Sequence, residues 1–443
     1  MKRLLILTAA LASIFSISPL RAAVFDVTTT TDESDGSCAD GDCSLRDSIL
    51  AANAGSDADN TINLPNGTYS LTLVDAGEEE AGLIGDLDIF TNSLTINGNG
   101  STIDASPLGN QRIFDVVASG GLALTLNDLV LTGGTAQSGG AIRFVGTDKS
   151  ESLVFNRCWV MGNDASFASG GALNANDALV VLDRSTFSSN TAILHGGGIF
   201  VSAVNLEMVN STISANEAGE DGAGIYAEDS FSLLFNATVT ANQAADQGGG
   251  IYQNGFAVAV GYVLSNSILA GNGAGAGSQD CARDPINASV ASNGFNVMGD
   301  VTDCGISPPP APAVDQITSD PLLGPLGENG GPTPTHSLLD GSPAIDGGNP
   351  AGCGDRMGND LTLDQRSFPR EEDGDGDGIA VCDVGSLETA CAENCEDENS
   401  QTPPPEAEGG GCSLHSGAKN TSWVIFALVL PLALASRRAR LRQ

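Results

Sequence analysis

Basic side chains are scarce in this chain of 443 residues: 18 Lys and Arg stand against 55 Asp and Glu, a formal charge of −37. A surface of that sign repels phosphate backbones and excludes nucleic acid as a partner. Aromatic residues make up 5% and there are three His, so neither a core of large rings nor a His-rich metal centre is available. No Cys/His spacing resembles a zinc site. A phosphate-binding loop, a nucleophile elbow and a nucleotide fingerprint are also missing. The two long apolar runs, Leu4–Ile17 and Trp423–Ala435, have about 14 and about 13 residues, short of the roughly 20 that span a bilayer.

Those runs sit in segments that read as sorting signals. Lys2 and Arg3 precede the first run, and Ala22 and Ala23 follow it, which predicts a secretory signal peptide over 1–23. Near the other end, 391–411 is an acidic, Pro-rich linker with Pro403-Pro404-Pro405. After it come Gly409-Gly410-Gly411-Cys412, the second apolar run, and Arg437, Arg438, Arg440 and Arg442. Without 1–23 and 413–443, the middle holds 10 basic and 55 acidic residues, a formal charge of −45. That suits a hydrated exterior and divalent cations.

Glycine, at 56 residues, is abundant and periodic. A Gly-rich turn before two apolar residues recurs at Gly139-Gly140, Gly170-Gly171, Gly197-Gly198, Gly222-Ala223-Gly224 and Gly249-Gly250. The last glycines are spaced 31, 27, 26 and 26 residues apart. Asn163, Asn190, Asn216, Asn242 and Asn272 keep a similar period, as do Asn156, Asp183, Asn210, Asn236 and Asn266. Between the markers, apolar and polar residues alternate with period two, which means strands. Such a repeat predicts stacked coils. The expected fold is all-β: a right-handed parallel β-helix with apolar columns inside and Asn side chains laddered at a turn. A propeller blade would need about 40–50 residues. The regular coils are expected over 91–300, with a cap and first coils over 24–90 and last coils over 301–390.

An open stack needs caps. The best helix candidate is Ser44–Asn53, with Ser44 as N-cap and Asp47 three residues on. In an exported chain the ten cysteines can form disulfides. Local pairing would join Cys38 to Cys43, Cys281 to Cys304, Cys353 to Cys382 and Cys391 to Cys395, although spacing leaves the connectivity open. A small disulfide-containing region is thus expected near the C-terminus. Cys158, in an apolar strand, reads as a buried free thiol.

Cys43-Ser44-Leu45-Arg46-Asp47-Ser48-Ile49, followed by Ala51-Ala52-Asn53, resembles the CSLREA domain, with Asp47-Ser48 where that family has Glu-Ala. Gly341-Ser342-Pro343-Ala344-Ile345-Asp346, Asp364-Gln365-Arg366 and Cys382-Asp383-Val384-Gly385-Ser386-Leu387-Glu388 resemble the choice-of-anchor Q domain of bacterial surface proteins. The C-terminal segment 412–443 resembles the GlyGly-CTERM and MYXO-CTERM sorting tails. These resemblances imply an architecture and no catalytic residues. They imply a sorting or processing protease as partner, cleavage near Gly411, and Cys412 as the new end or lipid-attachment point. The basic end would stay cytoplasmic, and the protein would attach to the outer surface through this tail or a lipid.

Asp373-Gly-Asp375-Gly-Asp377-Gly378 resembles the first half of a calcium loop. Position twelve is Val384, so Asp383 or Glu388 would have to complete a structural calcium site with Asp373, Asp375 and Asp377. Arg157 and Arg184, one coil apart, are candidates for binding an acidic sugar, or else pair with neighbouring carboxylates. His336 reads as a packing residue. The leading expectation is a non-enzymatic, adhesin-like or structural surface protein. The alternatives are a polysaccharide lyase or hydrolase on the same scaffold and a calcium-dependent carbohydrate-binding protein. Surface polysaccharide is the expected partner in these readings.

Overall fold

Alternating short strands become a solenoid because each inward side chain meets its equivalent one coil away. The computed structural model describes residues 22–390 apart from 40, 56–58, 76–80, 91–92, 256–260, 285–288 and 310. One coil consists of Leu179–Asp183, Thr186–Ser188, Thr191–Ala192 and Ile199–Ser202. The next is Asn205–Val209, Thr212–Ser214, Glu217–Ala218 and Ile225–Glu228. All four pairs are parallel and in register. The chain is therefore a parallel β-solenoid with four ladders of strands, numbered here in chain order. Pairing begins at Ala23–Asp26 and ends at Gln316–Ile317.

Inside, Leu126, Phe155, Leu182, Met208, Leu234 and Leu264 form one apolar column. Each fully buried side chain of this size stabilises the fold by about 1.5–3 kcal/mol. The coil that begins at Leu179 bends at four corners, and each corner residue is left-handed: Arg184 (φ 49°), Ser189 (φ 55°), Gly196 (φ 64°) and Ala203 (φ 55°). Three of these are not glycine, and each costs roughly 1–2 kcal/mol in that conformation. Hydrogen bonds to the adjacent coil offset the cost. At Gly197 the requirement is different: a Cβ there would lie 2.2 Å from the carbonyl oxygen of Glu217 in the next coil.

The buried asparagines line up as expected. The Nδ2 of Asn163 donates to Asn190 Oδ1 at 3.0 Å, that of Asn190 to Asn216 at 3.0 Å, that of Asn216 to Asn242 at 2.8 Å, and that of Asn242 to Asn272 at 2.9 Å. The same oxygens accept backbone N–H groups from the preceding coil. A carboxylate closes the series: Asp280 Oδ1 accepts both the backbone N–H and the Nδ2 of Asn272. Next to it runs a hydroxyl column in which Ser185 and Ser211 donate to carbonyls of the preceding coil. Cys158 occupies the equivalent place and donates to Leu126 O at 3.3 Å. It is a free, buried thiol, and burial pushes it up to about 12.

The other expected marker needs a correction. Asn156 and Asp183 stand in one column, opposite Val209 of the following coil. Asn210, Asn236 and Asn266 belong one place along, at the left-handed corner occupied by Arg157 and Arg184. The glycine marker slips in the same way: Gly198 and Gly224 align with Ala172, not Gly171. A period counted from residue type passes over a one-residue slip that the register does not allow.

The helix α1 (Leu45–Ala54) caps the N-terminal end, and Ser44 Oγ accepts the Asp47 N–H at 3.0 Å. Arg46 is buried beneath it, paired with Asp32 at 2.7 Å and donating to the carbonyls of Gly82, Gly85 and Asp86. Disulfides join Cys38 to Cys43, Cys281 to Cys304 and Cys353 to Cys382. The expected Cys391–Cys395 pair lies outside the described residues.

Two outcomes follow for stability. Asn216→Ala leaves the Asn190 N–H and the Phe187 carbonyl without their partner and should cost about 3 kcal/mol, against under about 1 kcal/mol for Asn156→Ala in the half-exposed amide series. Denaturant unfolding of the two variants checks this order. Glu151 accepts from Thr147 Oγ1 and the N–H groups of Thr147, Asp148 and Gly121. Burial opposes its ionisation, but these donors win and hold it at about 2. Its folded value lies below the unfolded one, so its contribution is complete above about pH 4.5 and is lost as pH falls towards 2. Acid titration of unfolding should show that loss in the native chain and a flatter slope in Glu151→Gln.

Candidate functional site

Beyond the last rung the chain turns back along the outside of the second ladder. An antiparallel hairpin, Leu323–Gly327 with Thr335–Leu338, makes the return through a loop that contains Gly330-Gly331-Pro332. The hairpin and the residues after it cover a strip of outward hydroxyls: Thr186, Thr212 and Thr238 in one column, Ser188 and Ser214 in the next. All five are buried.

Gln365 is the centre of this seam. Its Nε2 donates to Thr186 Oγ1 at 2.7 Å and Thr333 Oγ1 at 2.9 Å, and its Oε1 accepts from Thr212 Oγ1 at 2.7 Å. Ser386 Oγ lies 2.9 Å from Thr212 Oγ1 and 3.2 Å from Thr238 Oγ1. His336 Nδ1 is 2.7 Å from the Gly324 carbonyl and must carry the proton there, so Nε2 accepts from Ser214 Oγ at 2.8 Å. Burial lowers the His336 pKa and keeps the ring neutral. It is a packing residue, as its context suggested.

Behind the seam Arg370 is fully enclosed. It donates to Asn210 Oδ1 at 2.7 Å and the Gly385 carbonyl at 2.8 Å, and pairs with Glu388 at 3.3 Å. Glu388 also accepts the N–H groups of Glu371, Glu372 and Asp383. Burial and neighbouring Asp383 push its carboxyl up to about 7, with Arg370 opposing. Asp364 accepts the N–H groups of Arg366, Phe368 and Glu388, and so holds the loop that presents Gln365. The Asp364-Gln365-Arg366 and Asp383–Glu388 segments are thus the docking surface.

The acidic loop hangs from this segment. Asp373 accepts from Gly376 and Gly378 N–H, Asp375 from Asp377 N–H, and Asp377 from Ile379 N–H. Among the described residues, Asp346, Asp373 and Asp375 bring carboxylate oxygens within 4.8 Å of one another. Of the four expected ligands, Asp373 and Asp375 converge, while Asp377 and Asp383 stand outside this group. Asp383 has both oxygens engaged, by Asp346 N–H at 2.8 Å and Thr389 N–H at 2.6 Å. Burial raises it to about 6. It positions the backbone of Asp346, the carboxylate that spacing alone missed. Asp346 Oδ2 accepts the Asp375 N–H at 2.8 Å, and its Oδ1 is buried without a protein partner. Two carboxylates of the acidic loop and Asp346 from the preceding segment thus form a cluster of hard oxygen donors, the ligand type that calcium takes.

Arg157 is held by both oxygens of Asp128 at 2.6 Å, beside a groove of about 270 Å³ that also contacts Pro332. Arg184 pairs with Asp183 at 2.9 Å and reaches Ser367 of the docked segment. Both arginines are committed to neighbouring groups. Gly411, Cys412, Cys391 and Cys395 lie outside the described residues, and no described helix is long and apolar enough to cross a membrane. No protein-family model matches the chain, and neither curated proteins nor solved structures give a significant match.

Gln365→Ala removes the bridge between Thr186, Thr212 and Thr333 and should weaken docking by about 1–3 kcal/mol. Limited proteolysis is expected to cut within 340–380 about tenfold faster or more, with the solenoid core still resistant.

Proposed function

We propose that this protein is exported and displayed on a bacterial cell surface, anchored through its C-terminus, with an adhesin-like or structural role. The supporting observation is the placing of the disulfides. Cys38–Cys43 lies beside the N-terminal cap, Cys281–Cys304 at the last coils, and Cys353–Cys382 within the docked segment. Staples at both ends and in the appended segment suit an oxidising compartment and protect the parts of a solenoid that fray first. The signal-like start and the Gly-rich, Cys-containing, Arg-ended tail agree with that location. In this reading a sorting protease cuts near Gly411, and Cys412 becomes the attachment point. Calcium held by Asp346, Asp373 and Asp375 would brace the acidic loop against the seam.

The commitment of Arg157 and Arg184 to Asp128 and Asp183 favours display over a lyase reaction. The lyase reading relied on free basic groups on that face.

The test is a mass spectrum of the mature C-terminus in the native host. The expected result is an end at or next to Cys412, and Cys412→Ser should release the chain into the medium. An intact Gln443 terminus would overturn the processing step. In purified protein, calcium should bind with a dissociation constant on the order of 10⁻⁴–10⁻³ M. Asp373→Asn/Asp375→Asn should abolish that heat in calorimetry.

A further inference from the structure

The docked segment lies over the second ladder. The fourth ladder carries a different outward column, in register through Asp115, Arg143, Asn174, Phe200, Tyr226 and Tyr252. Its first part is closed by charge, because Arg143 clasps Asp115 at 2.7 Å. Its second part is an aromatic stack. The rings of Phe200 and Tyr226 have centroids 5.4 Å apart and lie within 8° of parallel, and those of Tyr226 and Tyr252 are 5.3 Å apart and within 7°. His195 reaches from the preceding corner to stack on Tyr226 at 4.3 Å. Tyr226 is buried in the middle of the stack, while Phe200 and Tyr252 remain half-exposed at its ends.

Acidic and amide groups flank the rings. Glu228 lies in the adjacent outward column and accepts from Ser202 Oγ at 3.0 Å. Asp221 accepts the Gln247 N–H from the corner side, and a Glu220 carboxylate oxygen lies 3.1 Å from His195 Nε2. Asn254 donates to the Tyr226 hydroxyl at 3.0 Å, and its own Oδ1 is buried without a partner. The carboxylates are close enough to add to burial in raising both phenols: Glu228 and Asp221 at Tyr226, and Asp221, Asp284 and Asp246 at Tyr252. The column's arginine is two coils away from Phe200 and neutralised. Aromatic faces rimmed by carboxylates, on a chain of net charge −37, complement an organic cation.

We propose that the Phe200–Tyr226–Tyr252 column binds a polymer of amino sugars bearing protonated amines. Successive coils rise by about 4.8 Å, close to the length of one β-linked hexose unit. A chain laid along the solenoid axis therefore sets about one sugar ring against each coil. Half-exposed Phe200 and Tyr252, at the two ends of the stack, offer apolar ring surface to the sugar carbons, and Glu228 and Asp221 meet the amines. The inference deepens the display reading. Its failure is separable, because a missing ligand leaves the mass of the mature C-terminus unchanged.

The experiment is calorimetric titration of the full chain with a glucosamine hexamer, an N-acetylglucosamine hexamer, polygalacturonate and a lysine hexamer. The glucosamine hexamer should bind, and the acetylated and acidic sugars should bind at least about tenfold more weakly or not at all. Tyr252→Ala and Glu228→Gln, each at a half-exposed position, should each weaken binding about tenfold while circular dichroism stays native. Three results would overturn the proposal. They are no binding of the glucosamine hexamer, equal binding of the acetylated hexamer, and equal affinity for the lysine hexamer with no effect of Tyr252→Ala. The last would mean a general attraction of cations to an acidic surface.

Discussion

A corner amide in a stacked coil has no acceptor within its own turn, so it must find one in the neighbouring coil. That constraint organises the molecule. The Asn163–Asn272 series answers it with side chains that accept a backbone N–H and an amide from the coil before and donate onward. Such a series has direction and needs a terminal acceptor, which Asp280 supplies. The Ser185 and Ser211 column meets the same need, and it ends in the same manner, with Asn296 donating to Asp315. The half-exposed amide series runs the other way, from Asn156 through Asn127, Asn97 and Asn63 to Asp26. In all three a carboxylate accepts the last amide, and at buried Asn272 and Asn296 an unanswered amide would be costly.

The period of these residues was legible because stacking forces like to recur with like. The β-helix, the Ser44 cap and the buried state of Cys158 could all be read from pattern. Other features were out of reach for physical reasons. Asn156 and Asn210 look equivalent by type and spacing, yet the corner between them absorbs one residue and puts them in different columns. The outward Thr186, Thr212 and Thr238 resemble ordinary strand threonines. Nothing local marks them as the landing strip for Gln365 and Ser386. Asp346 lies 27 residues before Asp373, and only the docked fold brings their carboxylates together. Asp383 drew attention by its closeness to the acidic run, but both of its oxygens are taken by backbone N–H groups.

The outward faces of the second and fourth ladders are used differently. The second ladder is sealed by hydroxyl-to-amide contacts that need no large apolar patch, which suits a segment with few aromatics. Arg370 and Glu388 lie behind that seal, where each depends on the other and on backbone partners. The fourth ladder keeps its aromatic stack open, with acidic groups on both flanks.

The central claim is the register of one coil on the next, and a cross-linking rate measures it directly. Asn176 and Ser202 are register partners on the outside of the fourth ladder, and strand neighbours at about 4.8 Å fall within the reach of a disulfide. Asn176→Cys/Ser202→Cys should oxidise readily to a bond mapped by peptide mass. The diagonal pair Asn176→Cys/Phe200→Cys, at about 7–8 Å, should not. Equal rates for the two pairs, or bonding of the diagonal pair alone, would contradict the stacked arrangement on which the fold, the docked seam and the aromatic column all rest.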